Sequence, residues 1–191
     1  MKRVVILQPQ YFPWRGVFEQ IRLAQDYVHL DDADFPQGRS FISRVQIKSA
    51  QGSQWLTVPI RKHRGRICDT LTDETQPWRQ NHLRTLEQNY GRAPHGDEML
   101  ELVEEIYDLD TDLLTEINIG AIEKVATFLD LKTVFHRASA FSSSLRSSER
   151  LAEIAAHVQA THYLTGHGAR AYLDTSRFDD KQLEVEIMEY K

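Results

Sequence analysis

Cysteine is almost missing from this sequence. Cys68 is the single cysteine among 191 residues, so no internal disulfide can form and no cysteine-rich zinc site can be built. The eight histidines include no pair spaced as His-x-x-x-His, which also argues against zinc. A chain of this length can bury a core large enough to fold without a disulfide or a metal. The sequence therefore predicts a globular protein that is stabilised by its hydrophobic core.

Long apolar runs are missing as well. The N-terminal run, Val4-Val5-Ile6-Leu7, ends at Gln8 and Pro9, and it is too short for a signal peptide or a membrane span. We therefore predict a cytoplasmic protein with no membrane span.

An excess of positive charge is also missing. Lys and Arg number 23 against 28 Asp and Glu, so the net charge is −5 and gives no electrostatic footprint for duplex nucleic acid. No phosphate-binding loop, Gly-x-Gly-x-x-Gly motif or Gly-x-Ser-x-Gly elbow occurs, which argues against P-loop, dinucleotide and α/β-hydrolase chemistries. The expected partner is a small-molecule substrate; a nucleotide-bearing substrate and a homodimer are left open.

Short apolar runs that alternate with helical patterns indicate the fold. Residues 3–32 read as strand, helix and strand, the size of a parallel crossover unit. Further strands are predicted at 133–136, 162–164 and 183–188. Five candidate strands separated by helices predict an α/β fold with a doubly wound, mostly parallel five-stranded sheet.

Two segments interrupt that alternation. Within residues 35–72, the stretches 44–48 and 55–60 alternate apolar and polar residues on either side of a turn, which predicts an inserted antiparallel hairpin, or flap. Residues 77–130 carry helical patterns. We therefore predict a single α/β domain over residues 1–191 that carries this hairpin and this helical segment.

The segment after the first strand is the leading candidate for ligand binding, because open α/β sheets bind ligands at the carboxyl ends of their strands. Gln8 and Gln10 offer amide groups, Tyr11 and Trp14 offer stacking faces, and Arg15 offers a phosphate contact. The plainer alternative is a rigid connection whose aromatic rings cover the end of the sheet.

Acidic residues follow the second strand. Asp31 and Asp32 suit Mg²⁺ that is held together with substrate phosphates, and Asp32 also suits a sugar hydroxyl. The alternative is a solvated loop.

A histidine between two glycines follows a later strand. Gly166 permits close approach of a ligand, His167 is a candidate general acid or base, and Arg170 follows as a candidate anion contact. The alternative is a turn in which Gly166 and Gly168 supply positive φ angles.

His82 and the run at 147–149 each allow two interpretations. His82 shares a helical face with Trp78 and Leu86, so it is either a core residue or a second general acid or base. Ser147-Ser148-Glu149 predicts a capping box, with an anion site at the same amides as the alternative.

These residues lead to a geometric expectation. We expect one cleft at the carboxyl edge of the sheet to gather a common set of side chains: Gln8, Tyr11, Trp14, Asp32 and His167. Arg44 and Lys48 share one face of the predicted hairpin and are expected to face that cleft, whereas Val45 and Ile47 pack on the body. Basic residues after the hairpin, including Lys62, His63 and Arg64, read as a basic rim.

Several long stretches resemble the WbqC-like family of bacterial proteins, in the family's order. They are VILQPQYFPWRGVFEQI, YVHLDDADF, SRVQIKSAQGSQWLTVPI, WRQNHLRTLEQNYGRAPH, SSERLAEIAAHVQATHYLTGHGARAYLD and EVEIMEY. The resemblance implies a role in modifying sugars or similar small molecules, because family members accompany genes for O-antigen, other surface polysaccharides and secondary metabolites. Members usually continue past the final strand, so a catalytic group from such a tail would be missing here.

A more distant resemblance is to nucleotidyltransferase-like α/β proteins. Their His-x-Gly-His signature falls on Trp14-Arg15-Gly16-Val17, where the glycine is present and both histidines are absent. Adenylylation by that mechanism is therefore disfavoured. The leading hypothesis is a group transferase that acts on a nucleotide-linked sugar or a related small polar metabolite. The alternatives are a non-catalytic binding or scaffold protein of a polysaccharide assembly complex and an ATP-dependent amide-forming enzyme.

Overall fold

The chain forms two compact units in the computed structural model, which describes residues 1–61 and 65–190. The first unit comprises Met1–Gln8, Trp14–Asp31 and Leu129–Lys191, and the second comprises Pro9–Pro13 and Asp32–Phe128. Lys62, His63 and Arg64 of the predicted basic rim lie outside the described residues.

Strands and helices follow one another in an order close to the predicted one. The elements are β1 (Arg3–Leu7), α1 (Arg15–Leu23), β2 (Asp26–His29), β3 (Arg44–Ser49), β4 (Gly52–Thr57), α2 (Trp78–Tyr90), α3 (Gly96–Tyr107), α4 (Leu114–Phe128), β5 (Val134–Arg137), α5 (Ser147–His157), β6 (His162–Thr165), α6 (Ser176–Asp179) and β7 (Glu184–Ile187). Short 3-10 helices lie at Ile67–Asp69, Ala138–Ala140 and His167–Ala171. No helix of the described chain has both the length and the apolar character that a membrane crossing needs.

A five-stranded sheet organises the first unit. Its strand order is β5-β2-β1-β6-β7, and every neighbouring pair is parallel. The chain winds outward from β1 in one direction through β2 and β5, and in the other through β6 and β7. The predicted α/β fold with a five-stranded parallel sheet is confirmed, and the strand order changes direction between β1 and β6.

Buried apolar side chains explain why the short runs form central strands. Val4 and Val28 are fully buried, as expected for parallel strands that are covered on both faces. Tyr163 of β6 stacks on Phe178 of α6, with ring centroids 4.9 Å apart. These side chains belong to one core that also includes Ile154 of α5.

The second unit contains the predicted hairpin and the helical segment around a common core. Strands β3 and β4 are antiparallel and pair from Arg44 opposite Thr57 to Ser49 opposite Gly52. Val45 and Ile47 are partly buried against that core, to which α2, α3 and α4 also contribute. At α4, Asn118 is fully buried and its Nδ2 donates hydrogen bonds to the carbonyls of Pro9 and Ile42.

Contacts with distant segments determine where two helices begin. Helix α4 begins at Leu114, because the Asp112 carbonyl and the Leu114 amide pair with Thr72 and Thr70 instead of with the helix. The predicted capping box at the start of α5 is wrong. No side-chain capping bond forms there, and the Ser148 hydroxyl accepts a hydrogen bond from the Asp174 amide.

Candidate functional site

The candidate site lies in the first unit, where the sheet changes winding direction. Strands β1 and β6 are parallel neighbours, so the segments that leave their carboxyl ends emerge at the same edge. Helix α1 follows β1, and the 3-10 helix His167–Ala171 follows β6. The crevice between two such segments is the usual ligand position in open α/β sheets.

Tyr190, just after β7, lies beside residues of both segments at this edge. Its ring centroid is 4.8 Å from that of Trp14 and 6.1 Å from that of His167. Its hydroxyl accepts a hydrogen bond from the Nε2 of Gln20. Trp14 and His167, predicted to share a cleft, therefore lie on the same edge of the sheet.

The start of α1 contributes amides and a cation to this edge. Trp14 occupies the capping position, the first turn contains no acidic residue, and the exposed Arg15 is its first residue. An N-terminal turn without a carboxylate keeps its partial positive charge available to an anion. Gln8 is half-buried at the end of β1, and Arg170 is exposed on the 3-10 helix after β6.

The glycines of the site do not adopt positive φ angles; what matters is the room that their missing side chains leave for neighbouring groups. A Cβ on Gly16 would lie 2.2 Å from the Trp14 ring, so the indole can pack here only against glycine. Gly166 has a φ of −80°, and Gly168 lies within the 3-10 helix. The alternative of a positive-φ turn around His167 is therefore wrong. A Cβ on Gly166 would lie 3.4 Å from the Tyr190 hydroxyl.

Gln20 and Tyr190 are members of the cluster that sequence reasoning missed. Gln20 is only 3% exposed, and its Oε1 has no hydrogen-bonding partner within residues 1–61 and 65–190. A signal for Gln20 was present, because it follows Gly16 by four positions and is polar on the buried face of a helix. Tyr190 carries no such signal, because only the order of the strands brings it to this edge.

Six of the predicted site residues belong to the second unit: Gln10, Tyr11, Asp32, Arg44, Lys48 and His82. The expectation of one cleft that joins Tyr11 and Asp32 to Trp14 and His167 stays a prediction.

Tyr11 and His82 form a buried cluster with Tyr107. The Tyr11 hydroxyl is 2.8 Å from the Nδ1 of His82 and is hydrogen-bonded to the Tyr107 hydroxyl. Tyr11 is 1% exposed, so its ring lacks the free stacking face that the sequence suggested. Burial lowers the pKa of His82 to about 4, although its hydrogen bond with the Thr57 backbone raises that pKa.

The assignment of His82 as a general acid or base does not fit this environment. The imidazole is neutral near pH 7 and is enclosed by Trp78 and Tyr11, whose rings lie 5.5 and 5.9 Å away. The alternative of a hydrogen-bonded core histidine describes its position.

The assignment of Asp31 as a magnesium ligand does not fit its contacts either. Its two carboxylate oxygens accept hydrogen bonds from the amide and the hydroxyl of Ser139, at 2.9 and 2.6 Å. Asp31 thereby joins the end of β2 to the 3-10 helix Ala138–Ala140 that follows β5. The described part of the chain contains no group of three or more His, Cys, Asp or Glu side chains that could hold a metal ion. A magnesium ion bound through a ligand's phosphates and Asp32 stays a prediction.

The outer face of the hairpin carries aromatic and cationic groups. The Arg44 guanidinium carbon lies 4.2 Å from the Trp55 ring centroid, and the Phe41 ring lies 5.8 Å from it. Trp55 is 40% exposed and Phe41 is 57% exposed. Lys48 is exposed and shares the face of Arg44, as predicted from the alternation. That these cations face the predicted cleft stays a prediction.

The fold and this cluster define a class: an α/β protein with a doubly wound parallel sheet and a candidate ligand site at the change of winding. Residues 8–191 match the model of the WbqC-like protein family, and the chain belongs to that family. It is 32% identical over 194 residues to the uncharacterized protein Rv1507c of Mycobacterium tuberculosis; the match covers 100% of this chain and 83% of that protein. No solved structure matches the chain significantly.

Proposed function

We propose that this protein is a group transferase acting on a nucleotide-linked sugar or a related small polar metabolite, in the biosynthesis of O-antigen, another surface polysaccharide or a secondary metabolite. The observation that carries the proposal is the grouping of Trp14, Gln20, His167 and Tyr190 beside the first turn of α1. Membership of the WbqC-like family supports the same assignment.

The two ends of such a ligand match two parts of the site. The Trp14 ring is 54% exposed and offers a flat apolar face to a sugar ring or a base. The first turn of α1, which carries no acidic residue, and the guanidinium of Arg15 suit the oxygens of a phosphate. Arg170 supplies a second cation on the segment after β6.

His167 is the group that we assign to proton transfer. It is exposed beside Tyr190, so an acceptor group can reach its ring nitrogens. The acceptor's hydroxyl or amine forms a bond to the transferred group while the bond from that group to the nucleotide phosphate breaks. The nucleotide leaves with the electron pair of that bond, and His167 takes the proton that the acceptor loses. Acid–base assistance of this kind contributes roughly 10²–10⁴ in rate.

A thermal-shift screen tests the proposal. Sugar nucleotides, ATP with Mg²⁺, and acyl or aminoacyl donors are each added to the protein at increasing concentration. A ligand at about 100 times its Kd stabilises the folded state by about 2.7 kcal/mol, which is readily measured. Stabilisation by sugar nucleotides supports the proposal, whereas stabilisation by ATP with Mg²⁺ alone favours an ATP-dependent amide-forming enzyme.

The variant His167→Ala tests the assigned role once a stabilising ligand is known. Lost turnover with unchanged binding and an unchanged Tm supports proton transfer. Lost binding makes His167 a phosphate contact instead, and unchanged binding and turnover remove it from the mechanism.

The exposed face of the hairpin favours a second candidate, a non-catalytic binding protein of a polysaccharide assembly complex. Phe41 and Trp55 are unusually exposed for large aromatic side chains, and the adjacent Arg44 carries a positive charge. Calorimetric titration with oligogalacturonate compares the wild type with Trp55→Ala. This second candidate is favoured if the wild type binds oligogalacturonate, Trp55→Ala does not, and the wild type turns over no sugar nucleotide.

A further inference from the structure

Tyr190 lies within the candidate site. The Met188 amide is hydrogen-bonded to the Thr165 carbonyl at 2.7 Å, and the exposed Glu189 then leads to Tyr190. The phenol ring packs beside Trp14, and its hydroxyl reaches Gln20 and the space above Gly166. A flat six-membered ring that bears one hydroxyl thus lies against the residues that the proposed function assigns to the ligand.

The amide of Gln20 is only half satisfied by this arrangement. Its Nε2 donates to the Tyr190 hydroxyl, but its Oε1 is buried and has no partner among the described residues. A buried acceptor without a donor costs free energy relative to the same group in water. One phenol hydroxyl cannot reach both atoms of the amide, whereas two hydroxyls on adjacent ring carbons can.

We propose that Tyr190 occupies the place of the ligand's sugar ring, and that the ligand binds by displacing Tyr190 and pairing two adjacent hydroxyls with the amide of Gln20. This inference rests on the proposed function, from which it takes the phosphate-bearing sugar as ligand. One hydroxyl accepts from Nε2 and its neighbour donates to Oε1, so the ligand satisfies a group that Tyr190 leaves unpaired. Gln20 therefore determines specificity for a ring with adjacent hydroxyls.

The surroundings of Tyr190 suit this exchange. Trp14 is 54% exposed, so its indole offers the sugar a stacking face. Gly166 has no side chain above its backbone, and the first atom that a Cβ there would meet is the Tyr190 hydroxyl at 3.4 Å. Displacing Tyr190 opens a space next to the helix start that suits the ligand's phosphate.

Calorimetric titration of Tyr190→Ala with two probes tests the inference. We expect p-cresol, which carries the phenol ring and hydroxyl that the variant has lost, to bind the variant and not the wild type. We expect UDP-glucose to bind the variant at least tenfold more tightly than the wild type, because no tyrosine has to leave, and p-cresol to compete with it. Tyr172→Ala is the matched control, because Tyr172 is 73% exposed on the same unit and should change neither affinity.

Gln20→Met, introduced into Tyr190→Ala, tests the specificity role, because it keeps the chain length and removes both polar atoms. UDP-glucose affinity should fall at least tenfold, while circular dichroism shows an intact fold. If Tyr190→Ala does not fold, Tyr190→Phe replaces it; this variant keeps the ring but not its bond to Gln20, and should bind UDP-glucose several-fold more tightly than the wild type.

Three results overturn the inference. If the wild type and Tyr190→Ala bind UDP-glucose with equal affinity, the ligand does not displace Tyr190, and the proposed function is unaffected. Failure of p-cresol to bind a folded Tyr190→Ala shows that the space does not accept a ring. Binding of p-cresol without binding of any sugar nucleotide removes the sugar assignment and the proposed function together.

Discussion

At the scale of single residues, the Trp14 ring packs directly against Gly16. The indole occupies the volume that any side chain at position 16 would need, since a Cβ would lie 2.2 Å from the ring. The position of the Trp14 ring therefore depends on the lack of a side chain two positions further on, at Gly16.

Gly16→Ala should displace the half-exposed Trp14 ring and lower the free energy of unfolding by about 1 kcal/mol, the low end of the usual cost of overpacking, because the ring can move towards solvent. Urea denaturation measures the loss, and tryptophan fluorescence reports the changed environment of the indole. Gly168→Ala is the control, because no atom lies within 4 Å of the added Cβ, and it should be close to neutral. Equal effects of the two substitutions would contradict the packing argument.

His82 should make stability depend on pH. Its folded-state pKa of about 4 is below its ordinary value of 6.5, so the unfolded chain binds the proton more tightly. The contribution of the neutral imidazole is complete above pH 6.5 and is lost as the pH falls towards 4. The loss across that window is about 3 kcal/mol.

Urea denaturation at pH 7 and pH 4.5 measures this dependence. His82→Gln should be less stable at pH 7 and should show a smaller fall in stability on acidification than the wild type. His95→Gln is the control, because that side chain is 81% exposed, and it should follow the wild-type pH profile. A full wild-type fall in His82→Gln would exclude His82 as the source.

At the scale of elements, one arginine of α2 fixes the end of α3. Arg79 donates hydrogen bonds to the carbonyls of Tyr107 at 2.5 Å and Thr111 at 2.6 Å. These carbonyls lie at and beyond the last turn of α3, where the helix itself supplies no partners.

Arg79→Lys should lower the free energy of unfolding by about 1–3 kcal/mol, because a single ammonium cannot reproduce the planar fork of the guanidinium. Thermal denaturation followed by circular dichroism measures the change. Arg84→Lys on the exposed side of α2 serves as the control and should unfold like the wild type. An unaffected Arg79→Lys would show that the carbonyls are satisfied in another way.

At the scale of the whole molecule, the strand order predicts a gradient of amide protection. Strand β1 is central, with Val4 and Val5 fully buried, whereas β5 is an edge strand whose Val134 is 55% exposed. Amides of β1 should exchange hydrogen slowest in the first unit, and those of β5 and β7 faster. Exchange followed by NMR tests this order, and faster exchange in β1 than in β7 would contradict the topology.

The sequence by itself determined the elements of this protein. The short β-branched runs, the helical spacing and the alternating hairpin each record which side chains the local backbone must bury, so the five parallel strands and the α2 to α4 segment could be predicted. Trp14 and His167 could be placed on one edge, because the carboxyl ends of parallel strands meet there.

Only the tertiary structure decided which polar side chains form hydrogen bonds within the protein. Asp31 is satisfied by Ser139, 108 positions away, and Tyr11 by Tyr107, 96 positions away; no local pattern contains such pairs. The same holds for Gln20 and Tyr190, which are 170 positions apart and meet because β7 lies beside β6. Local patterns record burial, but hydrogen-bond partners depend on how distant segments pack.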